Sequence, residues 1–196
     1  MVDWHQQIEQ VFRLIDREIW IVTAAAGPRR GGLVATWVTR ASLDPQAPLV
    51  MVGLAPNHYT TELVLAAGAF GLHLVSRDQL ELVWQFALGS GRDRDKLAGI
   101  AVTAGETGAP ILSACVAWLD CRVVTTYDSG DRIFFWADVV RGQRVGPGRA
   151  LTESELIAAS SPEQLAAVRQ DLAADIDRQR PLRLRWRRQF EKKPPQ

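Results

Sequence analysis

The apolar and polar positions of the first third of the chain fall into strand-length units. Residues 19–25 are an apolar, largely β-branched and aromatic run, Gly27, Pro28, Gly31 and Gly32 punctuate the connection after it, and residues 33–43 alternate. In the alternating stretch Ala35, Trp37, Thr39 and Ala41 share one face, and Val34, Thr36, Val38 and Arg40 the other. This predicts a hairpin whose second strand spans 33–43. Neither face of that strand is purely apolar, so something polar is expected to lie along it. Residues 49–55 are continuously apolar and end at Pro56, as expected of a strand buried on both sides. A helix is predicted to open at Thr60 or Thr61 and close at Gly68, with a strand returning over 69–75.

Helical spacing marks the flanks. Asp3 with Gln6 makes a capping-box start, and Trp4, Ile8, Phe12 and Ile15 form an apolar stripe, so an amphipathic helix over 3–16 is predicted to pack on the sheet. Asp78 with Glu81 opens a second helix carrying Leu80, Val83, Trp84 and Ala87, which ends at Gly89. A long hairpin is predicted from 112–127 and 132–140 around the turn 128–131. Beyond Gly148, Thr152 with Glu155 caps a short helix. Ser161-Pro162-Glu163-Gln164 starts a longer one with Leu165, Val168, Leu172 and Ile176 on one side. Then comes a basic tail, with Arg178, Arg180, Arg183, Arg185, Arg187, Arg188, Lys192 and Lys193; within it Leu182, Leu184 and Trp186 alternate with arginines, which suits an edge strand or an extended arm on a partner subunit. The chain thus divides into a domain over 1–148 and a C-terminal helical extension and basic tail over 149–196.

Length and composition narrow the classes. A chain of 196 residues, 47% hydrophobic and 23% charged, with formal net charge +1, suits one soluble domain with a tail and has no global attraction for nucleic acid or membrane. A solvated or dimer-wrapping role is expected of the tail rather than a nucleic-acid contact. Cys115 and Cys121, six apart on one predicted strand, are expected to be buried thiols in a reducing compartment. The first residues lack a basic start and apolar core, and no apolar run reaches about 18 residues, so a cytoplasmic protein with no membrane partner is expected. There is no C-x-x-C pair for a zinc ribbon or an iron–thiolate centre, no G-x-G-x-x-G after the first strand and no P-loop. His5, His58 and His73 are too scattered to predict a metal site.

Residues 32–45, Gly-Leu-Val-Ala-Thr-Trp-Val-Thr-Arg-Ala-Ser-Leu-Asp-Pro, followed by Asn57, His58, Tyr59, Thr60, Thr61, Glu62 and Leu63, resemble the flavin reductase-like family of FMN-binding split barrels. Within it they are similar to the flavin reductase domains of high-molecular-weight rubredoxins and diflavin proteins. The likeness runs roughly from residue 15 to residue 144. It implies a mainly β fold with peripheral helices, the FMN-binding split β-barrel. It implies a flavin ring against Thr36, Trp37, Val38, Thr39, Ala41, Ser42 and Leu43, a phosphate held by Asn57, His58, Tyr59, Thr60 and Thr61, and Lys96 approaching the cofactor. It further implies a homodimer with the site at the interface, NADH or NADPH as co-substrate, and free flavin, a monooxygenase component or a redox protein as acceptor. Many family members carry histidine where this chain has Arg132, whose permanent charge and five donors could instead grip a nicotinamide-nucleotide phosphate.

The residue chemistry is compatible with these roles. Thr60 and Thr61 place hydroxyls at a helix N-terminus, where free amides and the dipole favour phosphate, and Asn57 and Tyr59 add an amide and a phenol. Plainer readings stand beside these. Asn57 and Thr60 also suit a turn residue and an N-cap, Trp37 either covers the flavin or fills the barrel, and Lys96 suits a solvated loop. No catalytic side chain is nominated, because flavin itself carries the electrons. The expected function is an FMN-binding flavin reductase-like oxidoreductase; the alternatives are a non-enzymatic FMN carrier and a dimerisation module.

Overall fold

The first hairpin forms around Gly27 and Pro28. Strand β1 (Trp20–Ala26) pairs antiparallel with β2 (Arg29–Ala35), Trp20 opposite Ala35 and Ala26 opposite Arg29, with Gly27 at φ 60° in the turn. The computed structural model describes residues 3–191; Lys192 and Lys193 of the predicted basic tail lie outside the described residues.

The single strand expected over 33–43 is instead two. β2 stops at Ala35, Thr36 and Trp37 belong to no strand, and β3 (Val38–Arg40) pairs with β4 (Leu49–Leu54), Val38 opposite Val52. Three further strands, β5 (Ala69–Leu74), β8 (Ala117–Asp128) and β9 (Ile133–Arg144), complete one antiparallel sheet in the order β2-β1-β5-β8-β9-β4-β3. Consecutive strands β2 and β3 therefore occupy opposite edges. A step as short as Thr36–Trp37 can join them only if the sheet curls until its edges meet, which makes a barrel with its seam at those residues. Curling explains the mixed faces of this segment, because its two halves pair with different neighbours.

A short ribbon of β6 (Val102–Ala104) and β7 (Pro110–Leu112) lies beside the barrel, so the strand predicted to begin at Leu112 begins only at Ala117. Cys115 falls in the bend between them and Cys121 on β8; both are free and buried, and burial pushes the Cys115 thiol up to about 11 and the Cys121 thiol higher still. Helix α2 (Tyr59–Ala67) follows β4 and ends at Gly68, whose left-handed φ of 64° carries the Val64 carbonyl bond. Helix α3 (Leu80–Ala87) is approached through a capping box of Ser76 and Gln79 rather than Asp78 and Glu81. The barrel core gathers Val22, Val52, Leu63, Phe70, Leu72, Phe135 and Ala137; a second cluster, with Ile19, Ile21, Val83, Phe86 and Leu97, lies under α3. Gly32 lets the Phe86 ring reach the barrel wall, since a Cβ there would stand 2.5 Å from Cε1 of that ring.

The ends of the chain correct three expectations. Helix α1 (Trp4–Phe12) is capped by the Asp3 carboxylate but is shorter than 3–16, and none of its residues is buried: Trp4, Ile8, Val11 and Phe12 are all exposed, so the stripe does not pack on the sheet of this chain. After α4 (Glu153–Ala158), α5 runs unbroken over Pro162–Glu191, so the basic segment is helix and not an edge strand or extended arm. Spacing by four explains the difference: Leu182, Trp186 and Phe190 lie along one side, with the Trp186 and Phe190 rings 5.2 Å apart and Trp186 donating to the Tyr127 hydroxyl. Of the apolar row along α5, Leu172 and Ile176 are about half exposed, and the buried residue of α5 is Gln179.

Candidate functional site

A cleft of about 110 Å³ opens at the seam, walled by Thr36, Trp37, Gly53, Ala55, His58 and Arg132 among others. Each wall has a local cause. Trp37 is displayed at the step between β2 and β3, its ring stacked on Phe134 at 6.1 Å and 16°. Gly53 makes room for both rings, since a Cβ there would meet Phe134 at 3.0 Å and Trp37 at 3.2 Å. Arg132, at the end of the β8–β9 turn, holds its guanidinium 4.9 Å from the Trp37 ring centroid. Burial pulls the Arg132 pKa down, and the charges of Asp131 and Asp175 oppose that shift.

The segment ahead of α2 forms the rim. His58 is the N-cap residue, extended at φ −81° and ψ 137°, and its side chain makes no cap bond, which leaves it free to point away from the helix. The imidazole Nε2 meets Asp175 Oδ2 at 2.6 Å. Asn57 Nδ2 donates to Asp175 Oδ1 at 2.7 Å, while Gln179 Nε2 donates to Asn57 Oδ1 at 3.0 Å. Arg132 donates to Gln179 Oε1 at 2.8 Å, which links the rim to the cleft wall. Asp175 and Gln179 both belong to α5 and were not singled out in the sequence. They stand three and seven residues after Leu172, so they continue the side of α5 that carries Leu165, Val168, Leu172 and Ile176 with polar groups.

The expected site residues separate by place. Thr36, Trp37, His58 and Arg132 meet at the cleft, and Asn57 joins them through α5. Tyr59 turns its ring inward, packed against the barrel core and against Gly31 and Gly91, with the Arg92 guanidinium 5.7 Å from its centroid. Thr60 and Thr61 are buried, and the Thr61 hydroxyl donates to the Ala55 carbonyl at 2.7 Å. Val38 packs on the core, Thr39 and Leu43 are exposed and Ser42 is half-buried between them; the Ala41 amide is taken by the Leu49 carbonyl at 2.7 Å. Lys96 is buried and not a solvated loop residue, its ammonium donating to the Phe86 carbonyl at 2.7 Å beneath α3. Burial pushes its pKa down to about 8, with Arg94 adding to the shift and Asp171 opposing it.

A flat aromatic face beside a glycine gap, a guanidinium above it, and amide and imidazole donors at a helix start fit a flavin ring and its phosphate in kind. In size the cleft is smaller than the roughly 300–1,000 Å³ usual for a whole ligand of that class, and α5 is hydrogen-bonded to its rim.

The model of the flavin reductase like domain matches residues 12–153, and the chain belongs to that family. The high molecular weight rubredoxin of Moorella thermoacetica is 32% identical over 136 residues, which are 68% of this chain and 58% of that protein. An FMN-binding protein from Thermus thermophilus, solved with bound 1-cyclohex-2-enone, superposes with TM-score 0.64 at 28% identity, over 70% of this chain and 82% of that one. The NADH:FAD oxidoreductase SgcE6 of Streptomyces globisporus C-1027, in complex with NAD and FAD fragments, gives TM-score 0.66 at 25% identity, over 78% and 90%. The chain spans from about a quarter to somewhat over half the length of the curated relatives it matches. The curled sheet is thus the split barrel of the flavin reductase like family. No helix among the described residues is long and apolar enough to cross a membrane. The α5 helix lies wholly beyond the matched range.

Proposed function

We propose that this chain binds FMN at the seam cleft and serves as an NAD(P)H-dependent flavin reductase-like oxidoreductase, handing electrons to free flavin, a monooxygenase component or a redox protein. The observation that carries the reading is the meeting of Trp37, Arg132, Asn57 and His58 at one cleft in a chain of this family. FMN, when bound, supplies the chemistry by accepting a hydride equivalent from nicotinamide and releasing electrons onward. The residues bind and orient. Trp37 covers the ring, the segment from Thr36 to Leu43 borders it, and Asn57 to Thr61 take the phosphate. Arg132 meets the phosphate or amide of the nicotinamide nucleotide, and Lys96 adds positive charge behind the site. No side chain is required to move a proton for the transfer itself.

Purified protein mixed with FMN, then rapidly with NADH or NADPH under anaerobic conditions, should lose flavin absorbance in a saturable phase. Absence of that phase with both nucleotides would overturn the reductase. The presence of Arg132 where many family members carry histidine favours a second reading, an FMN carrier without productive nicotinamide binding, and the same experiment separates the two. A homodimer is also proposed, because the exposed stripe of Trp4, Ile8, Val11 and Phe12 is an apolar face that a second copy would cover. Light scattering on a size-exclusion column should then report a dimer for the native chain and a monomer for Phe12→Asp.

A further inference from the structure

Helix α5 ends up holding the groups with which the rim would hold an anion. Asn57 and His58 each place a nitrogen within 2.7 Å of the Asp175 carboxylate, and Arg132 is engaged by Gln179. The carboxylate receives these contacts at the start of α2, on the side where the helix dipole favours negative charge. The way α5 is fastened matters as much. Gln179 is its only buried residue, Leu172 and Ile176 stay about half exposed, and so the helix is held to the rim by polar contacts rather than by a buried apolar seam. Such contacts contribute little net stability each and exchange readily for equivalent ones from a ligand.

A flavin phosphate carries up to two negative charges and needs the same donors. It cannot share them with an ionised carboxylate without direct like-charge repulsion.

We infer that Asp175 is an internal occupant of the phosphate position, so that α5 and the phosphate of FMN compete for Asn57 and His58 and the chain handles FMN as an exchanging substrate rather than as a permanently held group. This rests on the proposal that the Asn57–Thr61 loop takes the phosphate. Asp175 is thereby a specificity-determining residue. It weakens binding of the phosphorylated flavin selectively and leaves the ring's own contacts with Trp37 untouched.

The test is a fluorescence titration of the full, flavin-free chain with FMN and with riboflavin, which has the ring but no phosphate. Asp175→Asn keeps the size and removes the charge. It should tighten FMN by about tenfold and leave riboflavin within about twofold of the native value. Hydrogen exchange supplies a readout that needs no variant: saturating FMN should speed amide exchange over residues 171–183 of the native chain, and riboflavin should not. Unchanged or weaker FMN binding by Asp175→Asn, equal tightening of both flavins, or slower exchange in α5 with FMN would overturn the inference while leaving the flavin site in place. Failure of the native chain and the variant to bind either flavin would overturn the site and the inference together.

Discussion

Two groups of polar side chains serve this barrel, and they are satisfied in opposite ways. The first is closed inside it. His73 is fully buried on β5, its Nδ1 3.1 Å from the Ile21 carbonyl and its Nε2 accepting the Leu112 amide at 3.0 Å. Thr23 donates to the Pro110 carbonyl, and buried Asp120 accepts the Thr107 amide at 3.0 Å and the Thr107 hydroxyl. The bonds to Leu112, Pro110 and Thr107 tie the β6–β7 ribbon or its loop to the barrel, that to Ile21 joins β5 to β1, and every partner belongs to the matched part of the chain. The second group, Asn57, His58 and Arg132, stands at the rim, half exposed, and takes its partners from a helix outside that part. Residue type does not distinguish the groups, since each involves a histidine and an aspartate. Completeness within the barrel does: a polar group whose partners are all internal builds the fold, and one that borrows them from an appendage is available to a ligand.

The largest effect expected from this contrast is on stability. His73→Ala removes a ring bonded on both nitrogens and leaves the Ile21 carbonyl and Leu112 amide unpaired in the core, so unfolding in urea should show a loss of about 4 kcal/mol. Flavin affinity per folded molecule should stay the same. A loss under about 1 kcal/mol would place His73 with the rim group.

Protonation tests the same residue without a mutation. Burial pushes the His73 pKa down to about 4 from 6.5, the Ile21 carbonyl partly opposing it. Above pH 6.5 the ring is neutral both folded and unfolded, and its full contribution is present. As pH falls from 6.5 towards 4 the unfolded chain takes up the proton and the folded one does not, so stability drops at up to ~1.4 kcal/mol per pH unit, for a total of about 3 kcal/mol. His73→Leu should lack this component of the pH profile. An unaltered acid slope in that variant would show that the imidazole is not held neutral.

The closed group was the more legible in sequence, though not by its polar residues. The apolar runs at 19–25, 49–55 and 69–75 and the long hairpin after residue 117 produce the strands that bury it, because each run carries its own period and its own turn. The seam was hidden. Residues 33–43 alternate through Thr36 and Trp37 without interruption, and a change of pairing partner at a barrel edge leaves no mark on local periodicity. Trp37, Asn57, His58 and Arg132 were reached through resemblance, while Asp175 and Gln179 were not reached at all. The apolar spacing of Leu165, Val168, Leu172 and Ile176 marks one side of α5, and Asp175 and Gln179 stand on that same side; over these middle turns the helix docks through the two polar residues while Leu172 and Ile176 stay about half exposed. A hydrophobic pattern shows which face of a helix can be buried in apolar surroundings; it is silent on a helix docked by hydrogen bonds.

At the rim the balance between stability and binding should invert. Arg132→Ala loses the contact with Gln179 and the approach to Trp37, both at a part-exposed position, and should cost about 1 kcal/mol of stability. The rate of NADH- or NADPH-driven bleaching of bound FMN should fall about tenfold, equivalent to ~1.4 kcal/mol in the barrier. A variant that unfolds readily yet reduces flavin at the native rate would move Arg132 into the structural group.

The finest division falls between two adjacent hydroxyls at the start of α2. Thr61 is fully buried and spends its hydroxyl on the Ala55 carbonyl, which puts it with the closed group even though it sits in the proposed phosphate loop. The hydroxyl of Thr60, one residue nearer the helix start, has no hydrogen-bond partner among the described residues. Thr61→Val should therefore lower stability by about 1 kcal/mol and leave FMN affinity per folded molecule unchanged. Thr60→Val should change stability by less than about 0.5 kcal/mol and weaken FMN by about threefold, with riboflavin unaffected. If the two variants exchange these profiles, the phosphate is held one residue further into the helix, and the bond to Ala55 is one that the ligand breaks.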